Sequence, residues 1–330
     1  MKKHLFLMLV LALALTLMLS SCEHLLEPVW PSFDAPGFKD DNGEEEVFPS
    51  AGLAYELNTN ATTGEQYYVV TGRGTCTDEH IIIPSTYKGV AVTQIKEQAF
   101  LNDTTLKAIN LPEGLQKIGY IAFAGTSLKE LIIPDSVTEI SSMIFAFSPV
   151  EKLVIGSGLK CYGDGNNPFA CSTALKEIVV SKDNPYYYVE NGVLYAELER
   201  TVKILIQYPT ASEKKSFVVP DDVNIIAYLA FSCADSLEEI TVPSNTITMM
   251  CFYWCDSLAK VNFDVVLDDV FYSYFFVYTF TDYFSKNEPL EPAIGGISNL
   301  KMSNYTLYYN GGEITKEGID AIIEELMNQE

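Results

Sequence analysis

Residues 106–127 read LKAINLPEGLQKIGYIAFAGTS, and residues 128–149 follow without a break as LKELIIPDSVTEISSMIFAFSP. The two stretches superpose. Each opens on Leu (Leu106, Leu128), places an aliphatic residue three later (Ile109, Leu131) and Pro six later (Pro112, Pro134), then Ile twelve later (Ile118, Ile140) and Phe seventeen later (Phe123, Phe145), giving a period of 22 residues. Self-similarity at so short a period is the signature of a solenoid: one unit cannot bury its apolar face alone, so units stack and bury one another's. The short run after each opening Leu, such as 128–133, reads as a strand whose alternate positions point inward, with neighbouring units pairing in parallel.

The period extends in both directions. A unit opens at Val150, with Gly156 in the proline slot and Phe169 delayed by GDGNNP (163–168). Others are LKEIVV from Leu175, FVVPDDVNIIAYLAF (217–231), LEEITVPSNTITMMCF (237–252) and, upstream, IIIPSTYKGVAVTQIKEQAF (81–100) with five extra residues after the proline. The unit opening at Leu258 calls for apolar residues at 267 and 270 and Phe at 275, and the chain supplies Leu267, Val270 and Phe275. The aligned phenylalanines Phe100, Phe123, Phe145, Phe169, Phe231, Phe252 and Phe275 form a structural column expected down the interior. The pattern L-x-x-I-x-L-P-x-x-L-x-x-I-x-x-x-A-F resembles the leucine-rich repeats of the Treponema pallidum type, as in the BspA-like surface lipoproteins. The resemblance implies a β-rich leucine-rich-repeat solenoid with a strand plus a short helical or irregular turn per unit, and a cell-surface role in adhesion to host proteins or neighbouring cells. Every matching position is a core position, so the motif speaks for the fold and is silent about a site.

The flanks read differently. MKKHLFLMLVLALALTLMLSSC has a basic start, an uncharged apolar run over Leu5–Leu19 and small residues before Cys22, the layout of a secretory signal. Its last four residues, Leu19-Ser20-Ser21-Cys22, resemble a lipobox, which implies cleavage before Cys22 and lipidation of its thiol. Acyl chains there would make the membrane a partner through the lipid anchor only. Residues 22–50, with four prolines and the run DDNGEEE (40–46), read as an acidic tether. Residues 51–75 hold AYELNTNATTGEQYYVV (54–70), a β-hairpin cap for the solenoid edge. The repeat domain spans 76–276, with a β-hairpin insertion at about 184–216 turning at Asn191-Gly192. Residues 277–330 form a C-terminal cap whose segment 315–328 carries Ile319, Ile322, Ile323 and Leu326 on one face of an amphipathic helix.

Charge and composition exclude several functions. The formal charge is −23, and −25 once residues 1–21 are removed, which repels nucleic acid. Only His80 lies beyond the leader and its edge (His4, His24), there is no CxxC, and no phosphate loop, G-x-S-x-G or H-E-x-x-H occurs. No cofactor, no metal and no catalytic residue are expected, and GDGNNP reads as a surface turn. Cys171, Cys233 and Cys255, two or three residues after a repeat Phe, read as reduced core thiols. On the outward strand positions, Glu130, Lys152 and Glu177 share a column, with Glu239 and Lys260 further along, and read as mutually paired. The next column is Asn110, Ile132, Val154, Val179, Thr241 and Asn262, and its exposed apolar centre, Ile132, Val154 and Val179, is a candidate protein-binding stripe. The second candidate is aromatic: DDVFYSYFFVYTFTDYF (268–284) holds Tyr272, Tyr274, Phe276 and Tyr278 at positions the repeat leaves free. A glycan-binding module using exposed tyrosines is the alternative function, with Tyr186, Tyr187 and Tyr188 as a further patch whose other use is strand packing. A hydrolase is the least supported reading, since it needs a convergent acid pair.

Overall fold

The computed structural model describes residues 48–161, 167–243, 246–248, 251–264, 306–309 and 312–314. The described residues from Pro49 onward fall in one unit. That unit is a β-solenoid of about eight turns with no helix among the described residues. The turn of each repeat is therefore irregular and β-like where a helical turn was the alternative. Cys22, the segments 1–47 and 265–305, and the predicted helix 315–328 lie outside the described residues.

Most turns contribute two strands, one more than the periodicity predicts; the unit opening at Val150 contributes only the first among the described residues. The first ladder is built from the residues before the repeat proline. His80–Ile82 pairs in parallel with Ala108–Asn110, Glu130–Ile133 with Lys152–Ile155, and Lys152–Ile155 with Glu177–Val180. Beyond the insertion, Ser216–Val218, Glu239–Pro243, Lys260–Asp264 and Thr306–Tyr309 continue in parallel, and Gly312–Ile314 closes antiparallel on the last. The second ladder arises around the Ile twelve residues into each unit. Val90–Ile95, Lys117–Ile118 and Glu139–Ile140 pair in parallel, as do Val202–Gln207, Val223–Ile226 and Ile247–Thr248. Two residues per unit is a run too short to show a period of two, which is why the second strand was not legible.

The third side of each turn is an arc around the repeat Phe. Residues two before it (Gln98, Ile121, Met143, Leu229) and two after it (Asn102, Gly125, Phe147, Cys171, Cys233, Trp254) have φ between 46° and 67°. Two left-handed residues bend the chain sharply on either side of the ring, and backbone bonds between successive arcs hold the bends in place. Phe123 N–H donates to Ile144 O at 2.7 Å, Gly125 N–H to Ala146 O at 2.9 Å, and Phe231 N–H to Cys251 O at 3.0 Å. Left-handed geometry costs a β-branched or bulky residue about 1–2 kcal/mol, so Ile121, Phe147 and Trp254 are held there by their neighbours.

The phenylalanine column is in place. Phe100, Phe123, Phe145, Phe169, Phe231 and Phe252 are all buried, with ring centroids 5.8 Å apart for Phe100–Phe123 and 6.0 Å for Phe145–Phe169. Phe275 lies outside the described residues. The alignment left the unit opening at Leu175 without a ring, and the structure supplies Tyr208, buried and stacked on Phe231 at 5.2 Å. In the proline slot of the third unit, Gly156 passes so close to the preceding turn that a Cβ there would lie 2.6 Å from the Pro134 carbonyl carbon. A side chain would therefore push the two turns apart.

Two additions frame the stack. The hairpin Ala54–Thr59 and Gln66–Gly72 adds to the second ladder through Val90–Ile95. It packs Tyr55 flat on Tyr87 at 4.0 Å with Tyr68 edge-on to both, and burial pushes the Tyr55 phenol up to about 12. Arg73 anchors the hairpin to the first full turn by donating to Asp103 and to the carbonyls of Cys76 and Asp78. The insertion is a three-stranded meander where a hairpin was expected. Tyr187–Glu190, Val193–Leu198 and Val202–Gln207 run antiparallel in turn, and the third strand becomes a rung of the second ladder. Asn191 and Gly192, at φ 53° and 86°, form the tight turn that the Asn-Gly pair predicts.

Candidate binding surface

The outer face of the first ladder is where an apolar strand pattern meets water. On Glu130–Ile133, Leu131 and Ile133 are buried while Glu130 and Ile132 turn outward, half-buried. The same alternation on the other rungs creates two outward columns.

In the charged column two of the three carboxylates are paired, Glu130 and Glu239, and Glu177 has no ion pair among the described residues. Lys152 Nζ lies 3.3 Å from Glu130 and Lys260 Nζ 2.9 Å from Glu239. One residue earlier in each unit runs a second ionic column, which sequence alignment did not single out. It pairs Lys107 with Glu79 at 2.6 Å, Lys129 and Lys176 with Glu151 at 3.2 and 2.9 Å, and Lys215 with Glu238 at 2.9 Å. Hydrogen bonds from Lys176 and Lys129 hold the Glu151 carboxyl below its ordinary range, and Lys260 with Asn262 does the same for Glu239. These pairs are exposed to solvent and screened by it, so each adds little to stability. Their consequence for binding is that the carboxylates are already engaged along the ladder.

The apolar column is less uniform than its sequence suggests. Ile132 is half-buried, and Val154 is 8% exposed because both neighbouring rungs press against it. Val179 is 37% exposed, and the column then gains a member that the alignment left out: Val218, at 67% exposure. Register places Val218 opposite Thr241, and Thr241 opposite Asn262. Its position was legible, since Val218 stands two before Pro220 as Ile132 stands two before Pro134. The exposed apolar surface is therefore centred on Val179 and Val218, with Ile132 and Val154 at its margin. The aromatic candidates Tyr272, Tyr274, Phe276 and Tyr278 lie outside the described residues.

The tyrosines of the insertion are committed to packing. Tyr187 is buried, Tyr186 packs on the core, and Tyr188 stacks on Tyr195 with centroids 5.7 Å apart. Lys203 Nζ sits 4.7 Å from the Tyr195 centroid and 5.9 Å from that of Tyr188, and it bonds Glu190 and Asp222. Burial opposes its charge, but the two carboxylates outweigh that and hold Lys203 above its ordinary range. A carbohydrate ring would have to displace this assembly to reach the faces of Tyr188 and Tyr195.

The remaining sequence candidates take structural places. His80 opens the first rung with Nε2 2.7 Å from Asn110 Oδ1. Cys171, Cys233 and Cys255 are buried in the arcs, and burial pushes the Cys171 thiol up to about 12 against a hydrogen bond from Ser232. A thiol so far from ionising is no nucleophile at neutral pH. Of GDGNNP, only Asn167 and Pro168 are described, and buried Asn167 donates to Gln207 across the stack at 2.9 Å. Among the described residues no group of three or more His, Cys, Asp or Glu is placed to hold a metal ion.

The sequence matches the family described as BspA type leucine rich repeat region, in six copies over residues 75–192 and 210–291. A leucine-rich repeat protein from Eubacterium ventriosum is 21% identical, with 66% of this chain and 71% of that one aligned at a TM-score of 0.44. The pneumococcal vaccine antigen PcpA is 17% identical over 66% of this chain and 72% of its own, at 0.39. A leucine-rich repeat protein from Bacteroides ovatus is 21% identical over 67% and 71%, at 0.31. No curated protein matches the sequence.

Proposed function

We propose, for a chain that belongs to the BspA-type leucine-rich repeat family, a non-catalytic surface protein that binds another protein on the outer face of its first strand ladder. Members of such a family are repeat proteins often involved in binding or adhesion. The observation that carries the reading is the apolar column rising to 37% and 67% exposure at Val179 and Val218, on a face where Glu130, Glu151 and Glu239 are already ion-paired. Exposed valines flanked by neutralised ion pairs lose little on desolvation, and that is what the core of a protein interface requires.

Export and a lipid anchor complete the reading. The leader and the Leu19-Ser20-Ser21-Cys22 motif support lipidation of Cys22, with the acidic residues 23–50 as a spacer. Cys22→Ala should move the protein from the membrane to the soluble fraction; continued membrane retention would refute the anchor. For binding, immobilised full-length chain and its Val179→Glu/Val218→Glu double variant are compared against host surface proteins and a glycan array. Saturable protein binding that the double variant loses supports the proposal. Glycan binding with no protein partner sinks it.

A further inference from the structure

The valines are most exposed at one of two places where the first ladder loses strand pairing, the other lying between Ala108–Asn110 and Glu130–Ile133. Glu177–Val180 is the last rung of one three-stranded sheet and Ser216–Val218 the first rung of the next, and no strand pairing joins them. They belong to successive units, and the chains touch just before the rungs, where Ala211 N–H donates to Leu175 O at 3.0 Å. The meander occupies the intervening sequence, and past this contact the two rungs part.

The parting leaves two strand edges. Glu177 N–H donates to Glu151 O and Ser181 N–H to Ile155 O, so by the alternation of a parallel ladder Ile178 and Val180 turn their N–H and C=O the other way, into the gap. On the opposite lip, Lys215 O accepts from Glu239 and Val219 N–H donates to Thr241 O, so Ser216 and Val218 turn theirs into the gap as well. Among the described residues none of these gap-facing groups has a backbone partner. Ile178 and Phe217 point inward to the core while Val179 and Val218 point out, so both lips present the same face pattern. Of the chain's 21 basic residues, Lys176, Lys214 and Lys215 stand just before the two rungs and Lys182 just after one of them. Lys176 pairs with Glu151 and Lys215 with Glu238. Lys182 and Lys214 are exposed with no ion pair among the described residues, and Glu177, Asp183 and Glu213 are the acids beside them in sequence.

We propose that this gap is a strand-addition site, at which an extended segment of a partner protein pairs main chain to main chain with Ser216–Val218. The segment lays alternate apolar side chains on Val179 and Val218 and carries carboxylates that meet Lys182 and Lys214. An open edge favours an added strand because the segment's N–H and C=O groups replace water along that lip. The inference rests on the column reading above and specifies how that column binds.

The test is selection of short random peptides on the full-length chain in detergent, followed by binding to two variants. Val218→Pro deletes an N–H that serves no rung of the ladder, and such an edge tolerates proline. Val218→Glu instead removes the apolar contact. The expected peptides alternate apolar residues with period two and have acidic ends. They bind Val218→Pro about tenfold or more weaker, the size of one or two lost main-chain bonds, while its circular dichroism is unchanged. Should Val218→Pro fail to fold, N-methylation of alternate peptide bonds reads the same contact: one phase abolishes binding and the other spares it. Peptides that bind Val218→Pro as well as the parent, or N-methyl phases that behave alike, overturn strand addition and leave the column reading standing if Val218→Glu still abolishes binding. Unchanged binding to both variants overturns both readings. Absence of any selected peptide, or a chain that dimerises by itself and is dissociated by Val218→Pro, also overturns the proposal.

Discussion

Single residues carry the fold through three kinds of position: the interior ring, the left-handed bend and the close-approach glycine. Phe145 is fully buried between rungs, and Phe145→Ala should cost about 3–5 kcal/mol, read as a lowered urea midpoint at constant m-value. The left-handed positions predict the opposite sign for one substitution. Gln98 is exposed at φ 60°, so Gln98→Gly relieves backbone strain without losing a packed side chain. It should stabilise by about 0.5–1 kcal/mol even though glycine loosens the unfolded chain; a lower melting temperature would show that the bend is unstrained. Asp103 gives a pH dependence. Burial works against its charge, but hydrogen bonds from Arg73 and Thr105 outweigh it and depress its pKa. A depressed carboxylate contributes stability that is complete above the unfolded value of about 3.9 and lost as pH falls through the folded one. Acid should therefore loosen the N-terminal hairpin first, and Asp103→Asn should show the loosened hairpin at neutral pH in hydrogen exchange.

The elements divide by how loudly they announce themselves. The first-ladder strands were readable because the units opening at Leu106, Leu128 and Leu237 share an L-x-x-aliphatic run before a proline, and the others align to them. The second-ladder strands Lys117–Ile118 and Glu139–Ile140 were not, since two residues carry no periodicity of their own and pair only because the stack aligns them. The meander was half readable. Asn191-Gly192 marked its first turn, but Glu199 and Arg200, which make the second at φ 50° and 58°, bear no turn signature. Replacing Asn191-Gly192 by Ala-Ala should raise amide exchange at Tyr188 and Tyr195 selectively while exchange at Leu131 and Leu153 stays slow; uniform change across both sets would mean that the meander and the stack open as one.

At the scale of the molecule, the ionic columns and the net charge of −23 act in opposite directions. Exposed pairs weaken with salt, whereas self-repulsion of an acidic chain is relieved by it. Each pair contributes little and the excess of acids is large, so relief should prevail. Raising ionic strength past the physiological value of about 0.15 M should raise Tm, and a fall would mean that the columns matter more than their exposure implies.

The amino-acid sequence alone determined the solenoid, its period, the interior phenylalanines and the family, because those properties repeat and each copy testifies for the others. Tertiary structure alone decided which outward residues are exposed. Val154 and Val179 are the same residue type at the same repeat position, yet one is covered by rungs on both sides and the other stands at a break in the ladder. Tyr208 took a phenylalanine's place across an insertion for the same reason. A periodic sequence specifies what each unit shares, and the candidate site lies where the period fails.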